Sequence, residues 1–361
     1  MTASSNRTVA TTVAAARTVS CAEPCTDQRH KEPPVKHCAD NRSAVPVPAL
    51  TGSEPLYMVM NAGSGKHDSM SIQSTIKAVC EAAGRTCQLL TVDHGSQLQG
   101  AAEQAVQLAR EHAGVVVAVG GDGTLHAVCQ AVVGQGVPFG VLPQGTFNYF
   151  GRAHGISQDT EEAVRGLLDA RLEHISLGRL NGRYFLVNAS LGLYPRLLED
   201  REAFKQRYGR SRLVALWSAL VTLTRAHRQL HVELDYAGRQ QQLRTPTLVV
   251  CNNPLQLEQI GIDPHLPEET DHLVALAARP VGTLALYGLL LQGLLSRMGE
   301  ADQVISIGFE RMSVHLGQRS RLVKVAMDGE IFRMHTPLEF SVAPGALPLL
   351  IPHSAPTPEH P

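Results

Sequence analysis

Val115 to Val119 is an unbroken apolar run that ends on Gly120-Gly121-Asp122-Gly123 and passes at once into a helical pattern from Thr124 to Val133. A strand that is apolar on both faces must be covered on both faces, which a parallel sheet between helices provides. The same movement recurs on either side. Leu56 to Met60 is a short apolar strand, followed by the small-residue turn Asn61-Ala62-Gly63-Ser64-Gly65-Lys66 and a helical stretch to Ala83. Cys87 to Val92 reads as a strand, and Gln97 to His112 as a helix with Leu98, Ala102, Ala105 and Ala109 on one face. Phe139 to Leu142 is the next strand. This alternation predicts a doubly wound α/β domain over residues 52–155.

Beyond residue 155 the texture changes. Ile175 to Leu180 and Tyr184 to Ala189 flank Asn181-Gly182, a pair that supplies the positive φ angles of a type I′ hairpin turn. Further strands are predicted at Leu230–Tyr236, Leu248–Asn252, Leu273–Ala277, Val304–Phe309, Met312–Leu316, Leu322–Met327 and Leu338–Val342. Two helices interrupt them, at about Arg212–Arg225 and Gly282–Leu295. A mostly antiparallel β-sandwich domain over residues 156–352 follows, and no internal repeat is seen. Residues 1–51 carry little hydrophobic periodicity and end in Pro46-Val47-Pro48, which predicts a disordered tail.

Composition narrows the function classes. The 361 residues suffice for two domains with buried cores. Lys and Arg number 32 against 33 Asp and Glu, and aromatic residues make up 4%, so neither a basic surface nor stacking platforms favour nucleic acid. Seven cysteines without regular pairing fit a reducing compartment. Cys21, Cys25 and Cys38 with His30 and His37 lack the paired spacing of a zinc site and read as thiols of the tail. The most apolar stretch, Val281 to Leu295, is broken by Gly288, Gln292 and Gly293 and falls short of the roughly 20 residues of a bilayer span. The N-terminus lacks the basic start and apolar run of a secretory signal.

The chemistry is concentrated in the turns. Glycines around Asp122 let a polyphosphate approach the backbone at the start of a helix, whose free N–H groups offer positive potential. Asp122 itself would repel phosphate if aimed inward, so it suits a metal, a lysine or an accepting hydroxyl; as a plain turn it would only cap the helix. Two common phosphate motifs fail. A Walker loop ending at Gly65-Lys66 would need Gly where Met60 stands and Ser or Thr where His67 stands, and a dinucleotide fingerprint from Gly121 would need Gly where His126 stands. Pro143-Gln144-Gly145-Thr146-Phe147-Asn148 follows the fourth strand, and in a parallel sheet all three loops emerge at one edge.

Asn61 to Lys66, the GGDGT run and the Pro143–Asn148 loop, in this order and spacing, resemble the catalytic domain of the diacylglycerol kinase and sphingosine kinase family, nearest its bacterial soluble lipid kinases. Asp328-Gly329-Glu330 and the closing strand with Pro344-Gly345 extend the likeness over residues 55–352. The resemblance implies ATP-dependent phosphorylation of a diacylglycerol- or sphingoid-like hydroxyl in a cleft between the two domains, with Mg2+ delivered by ATP. On it, Asn61, Gly63, Ser64, Gly65, Lys66 and Thr91 approach the nucleotide from one side. Gly120, Gly121, Gly123, Thr124, Thr146 and Asn148 hold it from the other. Glu330 matches the general base of the bacterial relatives, and other branches give that role to the acid matching Asp122. Without the resemblance, Asp328-Gly329-Glu330 reads as a β-turn with exposed acids and Lys66 as a solvated lysine.

This chain departs from the pattern in places. Asn252-Asn253 runs into Pro254-Leu255-Gln256-Leu257, and a later Asp271-His272 stands where relatives carry Asp-Gly, which argues against a protein-bound metal. Tyr149 follows Asn148 where an acid or His is usual. Arg201, Lys205, Arg207, Arg210 and Arg212 precede the apolar helix Leu213–Leu223, which ends at Arg225 and Arg228; such basic ends suit transient docking on an anionic membrane, and equally a core helix with solvated ends. The expected setting is cytoplasmic, with visits to the inner membrane surface. A soluble-substrate kinase of the NAD-kinase type and a non-catalytic nucleotide- or lipid-binding regulator are the alternatives.

Overall fold

A computed structural model describes residues 46–63, 69–196, 198, 229–252, 272–279, 304–317 and 321–355. Ser64, Gly65 and Lys66, the tail up to residue 45, the basic segment 201–228 and the stretch 282–295 lie outside the described residues.

The first half is built as its apolar runs require. β1 (Leu56–Asn61), β2 (Cys87–Val92), β3 (Val115–Gly120) and β4 (Phe139–Pro143) form a parallel sheet in the order β2-β1-β3-β4. All six residues of β3 and all five of β4 are buried. α2 (Leu98–Glu111) and α3 (Asp122–Val132) pack together, as do α1 (Ser69–Ala82) and α5 (Thr160–Leu168). Ile72 and Ile76 of α1 and Leu98, Ala102, Ala105 and Ala109 of α2 enter the core. The helices therefore turn inward the faces that their periodicity marks. α4 (Tyr149–Ala153) is a short helix after β4, and α5 starts on Asp159, whose side chain accepts from the Glu162 N–H at 3.0 Å.

The second half is antiparallel. β5 (Ala170–Leu180) and β6 (Arg183–Phe185) are joined by Asn181 and Gly182, with φ of 46° and 85°, the predicted hairpin turn. β6 is only three residues long, because the chain bends at Leu186–Val187 and crosses into a second sheet as β7 (Asn188–Gly192). That sheet has the order β12-β11-β10-β7-β14-β15, built from β10 (Thr247–Cys251), β11 (Leu273–Ala278), β12 (Val304–Phe309), β14 (Leu322–Met327) and β15 (Glu330–His335). Opposite it stand β8 (Leu230–Tyr236), β9 (Arg239–Thr245), β13 (Arg311–His315) and the first part of β16 (Leu338–Pro352). A core of Leu180, Phe185, Leu234, Leu248, Val314 and Phe340, among others, fills the sandwich.

β16 joins the two halves. Its start pairs with β13, its end meets β4 in parallel at Leu349–Phe139, and β5 lines it along its length with a register shift between Ala343 and Leu347. Leu347, Leu349, Leu350 and Ile351 thus belong to the core of the parallel half. Among the described residues no helix is long and apolar enough to cross a membrane.

Candidate active site

In the parallel sheet β1 lies between β2 and β3, so successive connections leave it in opposite directions. The crevice at such a switch point, outside the carboxyl ends of the strands, is where open α/β sheets bind ligands. Met60 is level with both Thr91 and Val119, and Gly120 with Pro143, which brings the loops after β1, β3 and β4 out at the same edge.

The glycines of these loops are fixed first by close contacts that a Cβ would violate. A Cβ at Gly63 would stand 2.2 Å from the Asp93 carbonyl oxygen, while the Gly63 N–H donates to Asn61 Oδ1 at 3.1 Å. A Cβ at Gly120 would meet the Thr124 side chain at 2.6 Å. Gly121 and Gly145 face each other so closely that a Cβ on the second would lie 2.8 Å from the Cα of the first. Gly123 differs. Among the described residues, its Cβ would find only Glu330 within 4 Å, with Oε1 at 3.5 Å. The start of α3 is therefore open toward Glu330, and Glu330 is exposed.

Asn148 supports the loop from beneath. It takes the left-handed conformation at φ 49°, and its side chain accepts from the Gly145 N–H at 2.8 Å and donates to Gly145 O and Gln158. It is 4% exposed, so its side chain shapes the loop rather than presenting itself to the cleft. Thr124 is likewise buried against Gly120, whereas Thr146 is exposed beside a stacked pair, Phe147 and Tyr149, whose rings are 5.5 Å apart. Thr91 is exposed one strand further out, lining an open hollow of about 440 Å³ with Ser96, Gln97 and Gly100.

The two acids proposed for catalysis occupy unlike surroundings. Burial, and after it the Asp328 carboxylate, push the Asp122 carboxyl above its usual range; the backbone amides of Phe150, Tyr149 and Asn148 pull the other way. Among the described residues, Asp122 Oδ1 is buried without a hydrogen-bond partner. Glu330 instead opens β15 directly after the turn Asp328-Gly329, whose φ values of 47° and 88° make a two-residue hairpin between Met327 and Glu330.

Asp328 is not an exposed turn acid. Its carboxylate accepts from the N–H groups of Leu186, Val187 and Asn188 at 2.8, 2.9 and 3.1 Å and from His126 Nδ1 at 2.8 Å. A buried carboxylate needs such donors, and these close the bend where the chain changes sheets. The sequence motifs include Asp328 but give it no contact, and His126 enters them only as the residue that breaks a dinucleotide fingerprint; the pairing of the two is what motif reading missed. The signal for that pairing was two polar residues in apolar settings, His126 on the inner face of α3 and Asp328 in a tight turn. Asn252 donates to Ser176 O and Leu186 O, at 3.4 and 3.3 Å, and Asn253 to Asp271 lie outside the described residues.

A strand-edge cleft bounded by the GGDGT turn, the Gly-Thr-x-Asn loop and a Glu on the facing hairpin is what the lipid-kinase resemblance requires. Residues 55–180 match the diacylglycerol kinase catalytic domain. The match carries three of the loops on which the resemblance rests, and Glu330 lies beyond it. A diacylglycerol kinase of Staphylococcus haemolyticus is 30% identical over 137 residues, 37% of this chain and 41% of that protein. One of Staphylococcus aureus is 34% identical over 91 residues, 25% of this chain and 29% of that protein. The chain thus aligns with less than half the length of these relatives. Two Bacillus anthracis crystal structures share the fold over 84% of this chain. One superimposes with a TM-score of 0.66 at 18% identity and is covered over 99% of its length. The other, of a diacylglycerol kinase, gives 0.59 at 15% and is covered over 98%.

Proposed function

We propose that this chain is a lipid kinase that transfers the γ-phosphoryl group of ATP to the hydroxyl of a diacylglycerol- or sphingoid-like lipid. The observation that carries the reading is the exposed Glu330 carboxylate standing over Gly123, where the open start of α3 and the sheet-edge loops meet. The α3 N–H groups and the glycine turns would cradle phosphate, helped by the helix dipole. Magnesium arriving with ATP would neutralise charge on the transferred group. Glu330 would take the proton of the lipid hydroxyl as its oxygen bonds to the γ-phosphorus and the bond to the β-phosphate oxygen breaks, releasing ADP. Asp122, withdrawn and flanked by amides, would hold the loop after β4 against α3.

In this reading residues 52–155 form the nucleotide side and residues 156–352 the lipid side of the cleft. The sandwich has a hydrophobic core of its own, while the core of the parallel sheet also takes in Leu177, Leu186 and Leu347 from the second segment. The lipid would be met at a membrane surface by transient contact.

The test is transfer of labelled γ-phosphate from Mg-ATP into a mixed lipid extract, with Glu330→Gln and Asp122→Asn alongside. Labelled lipid from wild type should fall about 10²–10⁴-fold in Glu330→Gln, the range of a positioned base. Label appearing only in a water-soluble acceptor, or full transfer by Glu330→Gln, would overturn the assignment.

A further inference from the structure

Glu330 can act at the start of α3 only if its hairpin is held against that helix. We infer that His126 is the positioning residue that does this, by donating from Nδ1 to Asp328 and so tying the β14–β15 turn to α3. The inference rests on the reading of Glu330 as base and names a residue that this reading leaves idle.

Both oxygens of Asp328 are engaged. Oδ1 accepts from Val187 and Asn188, and Oδ2 from Leu186 and His126. Three of the four donors are backbone groups at the crossover between sheets, and the fourth is the one that comes from α3. His126 lies three residues after Gly123, on the same helix face, and Glu330 lies two residues after Asp328. One hydrogen bond therefore spans the gap between the phosphate turn and the base, with two short and stiff segments on either side of it. The side chains are 3% and 0% exposed, so water cannot substitute for the bond. The His126 ring also leans on Phe332 of β15, centroids 5.9 Å apart, and Arg183 covers Phe332 at 4.9 Å. The imidazole is thus held in the orientation that presents Nδ1 to Asp328. An acceptor on the other side fixes a proton on Nδ1 in either charge state of the ring.

The geometry selects the control. An asparagine at this position can place its amide nitrogen near the place of Nδ1, whereas leucine keeps bulk and loses the donor. Wild type, His126→Asn and His126→Leu are compared in lipid phosphorylation and in amide hydrogen exchange of peptides covering 186–188 and 327–332. His126→Leu should lose about 100-fold in kcat, the cost of misplacing a catalytic group by roughly 1 Å, with KM for ATP within about 3-fold of wild type. It should exchange faster at both peptides. His126→Asn should match wild type within about 3-fold in kcat and retain the protection. Should His126→Leu fail to fold, His126→Gln, which displaces the amide by one methylene, replaces it with the same expectation.

An unchanged kcat in the folded His126→Leu protein, or an equal loss in His126→Asn with protection intact, overturns the inference. If wild type phosphorylates no lipid, the kinase reading has failed separately, and the exchange arm decides alone. Faster exchange in His126→Leu that His126→Asn restores sustains the tie, and equal protection in all three removes it.

Discussion

Asp122 carries its charge against its environment. Burial and the Asp328 carboxylate raise its pKa, and the amides at residues 148–150 offset this only in part. An acid whose pKa is raised by folding favours the native state while protonated, below its unfolded value, and loses that contribution as pH rises through the folded value. At pH 7 the ionised form is therefore a net cost. Asp122→Asn should melt above wild type at pH 7, and the difference should shrink as pH falls through the raised folded value and level off below about 4, the unfolded one. An Asp122→Asn protein that melts at or below wild type at pH 7 would show that the amides outweigh burial. Gly145 presents the opposite case, a residue chosen by sterics alone. Its Cβ would be 2.8 Å from Gly121 Cα and 2.6 Å from Asn148 Oδ1. Gly145→Ala should cost about 1–3 kcal/mol in urea unfolding through forced separation of the two loops, and should weaken ATP binding as α3 and the loop part. That these glycines sit in tight turns at strand ends was legible, but their contact with each other was not, because sequence does not say which loops touch.

At the scale of elements, α4 is a five-residue helix held by its last turn. His154 follows it and packs edge to face on Phe150, ring centroids 4.8 Å apart, and burial pushes its pKa down to about 4. A histidine with a depressed folded pKa contributes stability above its unfolded value, near 6.5, and loses it as pH falls toward the folded one. At about 1.4 kcal/mol per pKa unit the loss between pH 6.5 and 4 is on the order of 3 kcal/mol. His154→Gln should flatten the urea midpoint over this window, and a midpoint that still falls as in wild type would place the acid sensitivity elsewhere. Elements differed in how plainly they could be read. Asn181-Gly182 announces its turn by chemistry, and Ala237-Gly238, with φ of 48° and 70°, makes an equivalent turn without an Asn. β9 reads Arg-Gln-Gln-Gln-Leu-Arg-Thr and, among the described residues, pairs with β8 alone. An edge strand with one wet face is fixed by its backbone ladder, which side-chain alternation cannot reveal. β15 escaped for a similar reason, since Glu330 and Arg333 interrupt its apolar pattern.

For the whole molecule, the decisive long-range fact is the path of β16. The parallel sheet was legible from residues 56–142 because each apolar run has to be covered locally. The second half of β16 was not, because nothing in Leu347 to Ile351 says that they complete a core begun nearly 300 residues earlier. Leu347, Leu349, Leu350 and Ile351 are at most 4% exposed, and β5 pairs with β16 from Phe340 to Pro352. The family-matched segment 55–180 therefore contains β5 without its partner and β4 with one edge open. Leu349→Ala in the full chain should cost about 2–5 kcal/mol, the range for a buried leucine. A chain ending at Leu180 loses the whole strand, and about 25 cal/mol per Å² of apolar burial along with it. Residues 46–180 alone should give no cooperative thermal transition, and a peptide of residues 336–355 added in trans should restore one. A cooperative transition of the fragment by itself would mean that the parallel sheet holds its core without the strand, and that β16 serves the sandwich alone.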